Sequence, residues 1–140
     1  MPPTLFTRII DGQIPGTFVY RDDLCVAFMT ISPITTGHVL VVPIEEVDEW
    51  TDLSPALRSH LFEVAAQIST AQKTTFGCER IALIIAGYEI PHCHLHLIPS
   101  NSMADLSFEN AVTTSKREEL EQAASLIIGE LRRLNVAGAL

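Results

Sequence analysis

The chain has 140 residues, 47% of them hydrophobic and 19% charged, which fits one domain with its own core and is too apolar for a disordered chain. A formal net charge of −8 excludes a broad electrostatic grip on nucleic acid or an anionic membrane, since either needs a basic face. Three cysteines without C-x-x-C spacing, no signal-like segment and no apolar run near ~20 residues predict a cytoplasmic protein with reduced thiols.

In chain order, residues 4–11 (TLFTRIID) read as a short helix ended by Gly12 and Pro15. TFVYRDD and LCVAFMT are rich in β-branched and aromatic residues and predict a hairpin turning at Asp22-Asp23. ISPITTG is a loop punctuated by Pro33 and Gly37, and HVLVVPI (38–44) is a buried strand opening at His38. Ser54-Pro55 joins a cap residue to a proline at the first helical position. Leu57, Leu61, Val64, Ala65 and Ile68 then give one apolar stripe, and Gly77 closes the helix. ERIALIIAG (79–87) predicts a strand, and 100–114 a loop. Ser115-x-x-Glu118 is a capping box for a last helix, whose stripe is Leu120, Ala123, Ala124, Ile127, Leu131 and Leu134. Strands in antiparallel order, a long central helix and a terminal helix predict an α+β fold.

The stretch PHCHLHLIP (91–99) alternates His92, His94 and His96 with Cys93, Leu95 and Leu97. That period of two predicts a half-buried strand with the histidines on one face and the other residues in the core. On such a strand His92 and His96 lie ~13 Å apart at Cα, so all three cannot converge on one ion. The row suits a site for phosphate, because imidazole donates hydrogen bonds, carries charge and attacks phosphorus. The plainer readings are three polar residues on an exposed edge strand, or zinc on two of them with a third ligand from elsewhere. His60 and Trp50 read as structural, and Cys93 as a buried, inert thiol.

His92-Cys93-His94-Leu95-His96-Leu97-Ile98, together with GHVLVVP (37–43) and the opening IIDGQIP, resembles the histidine triad family, whose signature alternates histidine with apolar residues. The likeness spans about residues 4–100 and is nearest the Hint-like branch, with a C-terminal helix added. It implies a histidine-triad domain over 1–114, and a helix over 115–140 packed on it. The fold implied is an antiparallel sheet with a long central helix, in a subunit that forms a homodimer. Residue by residue, it implies that His94 is the nucleophile, that His92 and His96 orient it and bind phosphate oxygens or the leaving group, and that His38 supports them. Phe28 and Ile31 match residues lining the purine and ribose pocket. Thr30 stands where many relatives place a carboxylate or asparagine for the ribose. Glu89 stands where many have a serine or threonine near the leaving group.

The function expected is a hydrolase or transferase acting at the α-phosphate of a small, AMP-like nucleotide through a covalent nucleotidyl-histidine. The alternative is a nucleotide-binding regulatory module with little turnover. Thr4 and Thr7 occupy positions where relatives carry a zinc-binding C-x-x-C, and Glu46 replaces a further histidine, so no metal and no cofactor are expected. Neighbouring imidazolium groups are expected to stabilise charge on phosphate.

Overall fold

The computed structural model describes residues 2–113 and 115–140, so the expected domain boundary at Thr114 lies outside the described residues. Helix α1 (Leu5–Ile10) precedes strands β1 (Phe18–Arg21), β2 (Cys25–Met29) and β3 (Val39–Pro43). Helix α2 (Pro55–Phe76), strands β4 (Arg80–Ile84) and β5 (Leu95–Ser100), and helix α3 (Arg117–Arg133) follow. The five strands form one antiparallel sheet in the order β1-β2-β3-β5-β4. This is the α+β architecture expected.

Strands β2 and β3 are buried along their whole length, because both faces of the sheet are covered. On one face Ala27, Val39, Val41, Leu95 and Leu97 pack against the stripes of α2 and α3. On the other, Val26, Phe28, Leu40 and Val42 meet Phe6 and Ile10 of α1. Cross-strand partners share a face, and the register pairs Phe18 with Phe28, Phe28 with Leu40, Leu40 with His96, and His96 with Ile84. One row of side chains therefore runs from an aromatic end to a histidine, on the α1 side.

The predicted α2 has the expected boundaries. Ser54 accepts from Leu57 N–H at 3.2 Å, and Gly77 ends the helix at φ 61°. The expected stripe is buried and continues through Ala71 to Gln72. Gln72 Nε2 donates to the carbonyls of Gly37 (2.8 Å) and Leu97 (3.1 Å), which ties the start of β3 to β5. Gly37 is at φ +90°, and a Cβ there would lie 2.2 Å from the Phe76 ring. No other residue fits that turn into His38.

Four expectations need correction. Strand β4 stops at Ile84, and 85–87 leave the sheet. The stretch 100–114 is not all loop: β5 runs to Ser100, and short 3-10 turns form at Met103–Leu106 and Phe108–Asn110. Helix α3 starts at Arg117 with Lys116 as its cap residue and no side-chain cap. Ser115 lies one residue before that cap, and its N–H, which the box would pair with Glu118, donates instead to the Ile31 carbonyl at 2.9 Å.

The histidine stretch departs furthest from expectation. Only His96 lies in β5; His92 and His94 precede it. Pro91 has no N–H to offer a ladder. The next two amides point elsewhere, His92 N–H to Ile90 O (2.8 Å) and Cys93 N–H to Val47 O (2.7 Å).

Helix α3 buries Leu120, Ala123, Ala124, Ile127 and Leu131 in the same core as α2. The C-terminal tail then pairs with the outer edge of β1, through Arg21 N–H to Gly138 O and Leu140 N–H to Val19 O. That covers one of the sheet's two edges. No helix among the described residues is long and apolar enough to cross a membrane.

Candidate active site

His38, His92, His94 and His96 come together on the α1 side of the sheet. His38 enters from the residue before β3, His92 and His94 from the segment before β5, and His96 from β5 itself. The His94 and His96 ring centres are 4.9 Å apart, and those of His96 and His38 5.1 Å. All but His96 are buried, and His94 keeps 6% of its surface exposed. The rings are not a row on an exposed edge.

Main-chain groups decide where each ring proton sits. Pro43 O lies 2.8 Å from His92 Nε2, and His92 O lies 2.7 Å from His94 Nδ1. A carbonyl only accepts, so both nitrogens carry hydrogen. At the other end, Ile34 N–H donates to His38 Nδ1 at 3.1 Å. The His38 proton is thus on Nε2, which donates to His96 Nδ1 at 2.9 Å. His96 in turn carries its hydrogen on Nε2. Four tautomers follow from three backbone anchors. His94 is left with a bare Nε2 and His96 with a free Nε2–H, and neither has a partner among the described residues.

Burial holds all four imidazoles below their ordinary range, since a low-dielectric site penalises the charged form. His38 is pushed down to about 3, by burial and then by His96 and His94. His96 is pushed down to about 4, by burial and then by His94. His92 and His94 are lowered chiefly by burial, partly offset by their bonds to Pro43 and His92 carbonyls. The site is neutral at neutral pH. The imidazolium donors expected from the sequence are therefore neutral N–H groups.

Aromatic rings close the site. Phe6 of α1 stands edge-on to His94 (4.8 Å) and His92 (5.8 Å), and Phe108 edge-on to His96 (5.1 Å). The sequence reading missed both. Phe6 looks like any core residue on a short amphipathic helix, and nothing local to the 3-10 turn signals Phe108.

Of the nucleotide-contact residues expected, Phe28 is buried between Phe6 (5.5 Å) and Phe18 (5.6 Å). Ile31 is 65% exposed. Thr30 is half-buried, and its hydroxyl accepts from Ser32 N–H at 3.2 Å. Glu89 is on the exposed loop before the histidines, close enough for its charge to oppose the lowering of His94. A cleft of about 310 Å³ reaches His94 past Asp48, Glu49, Trp50 and Tyr88. A larger hollow of about 830 Å³, between the end of α2 and β4, contains none of the histidines.

Thr4, Thr7, Glu46 and His92 also meet. Glu46 Oε1 accepts from Thr4 N–H (2.8 Å) and the Thr7 hydroxyl (2.5 Å), and Thr4 Oγ1 lies 2.7 Å from His92 Nδ1. Two neutral hydroxyls, one carboxylate and one imidazole, already paired with each other, do not fit zinc, which takes thiolate, imidazole and carboxylate ligands. Elsewhere Asp22, Cys25 and His60 present ligand-type atoms within 4.8 Å of one another. There the Asp22 carboxylate is filled by Tyr20 O–H (2.6 Å), His60 Nε2 (2.7 Å) and the Leu24 and Cys25 amides (2.8 Å each). Cys93 is buried as expected, its thiol pushed up to about 11 by burial and by Asp48.

Comparison with known proteins agrees with this geometry. A family model described as the HIT domain matches residues 11–103. Protein hit of Bacillus subtilis is 34% identical over 140 residues, covering 91% of this chain and 93% of its own. The bis(5′-nucleosyl)-tetraphosphatase (asymmetrical) of Schizosaccharomyces pombe is 35% identical over 107 residues, 73% of this chain and 58% of its own. The crystal structure of a Hit-like protein from Bartonella henselae superposes with a TM-score of 0.79 at 26% identity, covering 91% of this chain and 95% of that one. Four clustered imidazoles, the matching sheet and these likenesses place the chain in the HIT, or histidine triad, family.

Proposed function

We propose that the chain is an enzyme that hydrolyses or transfers the nucleotidyl group of a small purine nucleotide, with His94 as the attacking group. The observation that carries the reading is the tautomer of His94. Its Nδ1–H is held by the His92 carbonyl at 2.7 Å, so the lone pair is on Nε2, on a ring that burial keeps neutral. Attack of Nε2 on the α-phosphorus forms an N–P bond, and the leaving group departs with the electrons of the bond it breaks. The positive charge that develops on the ring is shared with the His92 carbonyl through Nδ1–H. The His96 Nε2–H donates to a phosphoryl oxygen or to the leaving atom, and the Nε2–H of His38 holds His96 in that orientation. Water then attacks phosphorus and gives up one proton, replacing the one taken by the leaving group. The electrons of the breaking N–P bond return to Nε2, and His94 is neutral again with its Nδ1 proton in place. Net, one water is consumed, and a nucleoside monophosphate and the protonated leaving group are released. No metal or cofactor enters the scheme.

Phe28 and Phe6 form an apolar wall for the base, and Ile31 and the Thr30 oxygen stand at the ribose. Asp48, Glu49 and Glu89 beside the cleft favour a neutral or cationic leaving group over a long polyphosphate, which they would repel. The buried free thiols of Cys25, Cys78 and Cys93 suit a reducing, cytoplasmic compartment.

Rapid quench of the full chain with adenosine 5′-phosphoramidate, followed by mass spectrometry, tests the mechanism. An adenylyl group is expected on the peptide containing His94. An adduct on His92, His96 or Cys93 would refute it, and monophosphate binding without turnover would support the regulatory module instead. The exposed Trp50, Phe62 and Leu83, beside an apolar cleft lined by Leu61 and Ile85, are further inferred to be covered in a homodimer. Light scattering is expected to give twice the 15.4 kDa of one chain; a monomer at micromolar concentration would rule the dimer out.

A further inference from the structure

Helix α1 has only six residues, too few to be stable alone, yet it carries the Phe6 ring that bears on His92 and His94. What holds it in place is unusual. In a capping box the cap hydroxyl accepts from the third helical N–H, while an acidic side chain at that third position accepts from the cap N–H. Here Thr4 is the cap and accepts from Thr7 N–H at 3.1 Å. The third position is Thr7, which cannot do the acidic half of the work. Glu46, 42 residues further along the chain, does it instead, accepting from Thr4 N–H and from the Thr7 hydroxyl.

The cap hydroxyl has a second duty. His92 Nε2 donates to Pro43 O, so the Nδ1 of that neutral ring is a lone pair and the Thr4 hydroxyl must be its donor. One continuous set of hydrogen bonds then runs from Glu46 through Thr4 and Thr7 to the His92 ring. From there the His92 carbonyl reaches His94 Nδ1. A cap alone would need no contact with a histidine 88 residues away. A buried His92 without a donor at Nδ1 would be free to move its proton there and release the Pro43 carbonyl.

We propose that Glu46, acting through Thr4 and Thr7, is a positioning residue for His94: it fixes His92 in its Nε2–H tautomer and thereby holds the carbonyl that keeps the His94 proton on Nδ1. The proposal rests on the reading of His94 as the nucleophile, but its structural half stands apart from turnover. Outer partners that orient metal-bound histidines change affinity or activity about 10–100-fold; an effect of that order is expected here, far less than loss of the histidine itself.

The test uses the full chain and two readouts. Long-range ¹H–¹⁵N spectra of the imidazoles report tautomers without any substrate, and kinetics on adenosine 5′-phosphoramidate report kcat and KM. Glu46 is exposed, so Glu46→Ala leaves the core intact, and Thr4→Val is the paired variant. Both are expected to mix the tautomers of His92 and His94 and to lower kcat roughly tenfold with KM within about twofold. Glu46→Gln and Thr4→Ser keep an acceptor oxygen and a hydroxyl, and are expected to remain near the parent in both readouts. Unchanged His94 tautomers in Glu46→Ala would overturn the proposal. So would damage by Glu46→Gln equal to that by Glu46→Ala, which would make charge rather than hydrogen bonding the cause. Stoichiometric zinc in the purified, untagged protein at these four residues would overturn it as well. If the parent shows no turnover, the nucleotidyl-transfer reading fails, while the tautomer spectra still decide the positioning.

Discussion

His60 and His94 each have a ring nitrogen 2.7 Å from an oxygen, and the two sites end in opposite states. The partner of His60 is the carboxylate of Asp22, which also binds the Tyr20 hydroxyl, two backbone amides and, at 3.8 Å, the Cys25 thiol. Burial alone would raise Asp22, but hydrogen bonds from Tyr20, Leu24, Cys25 and His60 outweigh it and bring its acidity to about 2. Every acceptor position is used, and the result is a clasp joining the hairpin turn to α2. The partner of His94 is a neutral main-chain carbonyl. It orients the ring without adding charge and leaves the opposite nitrogen bare. A histidine cluster becomes reactive where its hydrogen bonding is left incomplete on one side, and structural where it is filled.

Substitutions should separate the two sites. His94→Ala is expected to lower turnover by at least about 10⁴-fold, because it removes both bond formation and the orientation of the attacking atom. Its unfolding midpoint should change little. His60→Ala should do the reverse, with kcat/KM within about twofold and stability lower by about 1.5–3 kcal/mol for a lost hydrogen bond to a charged group. Steady-state kinetics beside urea unfolding measures both. Comparable turnover in the two variants would abolish the distinction.

Acid should separate them more gently. Asp22 has a folded value near 2 against an ordinary 3.8, so its contribution is present above about pH 4 and is lost as pH falls towards 2. The amount is on the order of 2 kcal/mol. Unfolding midpoints between pH 4 and 2 should therefore fall more steeply in the parent than in Asp22→Asn. The histidines shift the same way with a different consequence. Their folded values lie below the ordinary 6.5, so protonation favours the unfolded chain, and the attacking ring stays neutral to lower pH than a solvated imidazole does. The acid limb of kcat/KM should lie below the ordinary imidazole value of 6.5; a limb centred at or above 6.5 would mean that His94 is not buried as described.

Much of this was legible in the sequence because it is local. Ser54-Pro55, Gly77 and the stripe between them specify α2 through caps and a 3.6-residue period. H-x-H-x-H beside GHVLVVP marked the four histidines that meet. The alternation in PHCHLHLIP was a poorer guide: His92 and His94 lie outside β5, because Pro91 lacks a donor and the amides of His92 and Cys93 bond to Ile90 and Val47 instead of the sheet.

What the tertiary structure alone decided is contact between distant residues. Phe6 reaches the site from a short helix whose pattern marks it only as core, Phe108 from a turn with no pattern of its own, and Glu46 caps a helix 42 residues before it. The protonation of the site belongs to the same class. A solvated histidine exchanges freely between its two neutral tautomers and titrates near neutrality. The carbonyls of Pro43 and His92 and the amide of Ile34 chose the nitrogen, and burial lowered the titration. Residue types and spacing supplied four histidines; only packing could fix which atom of each is free.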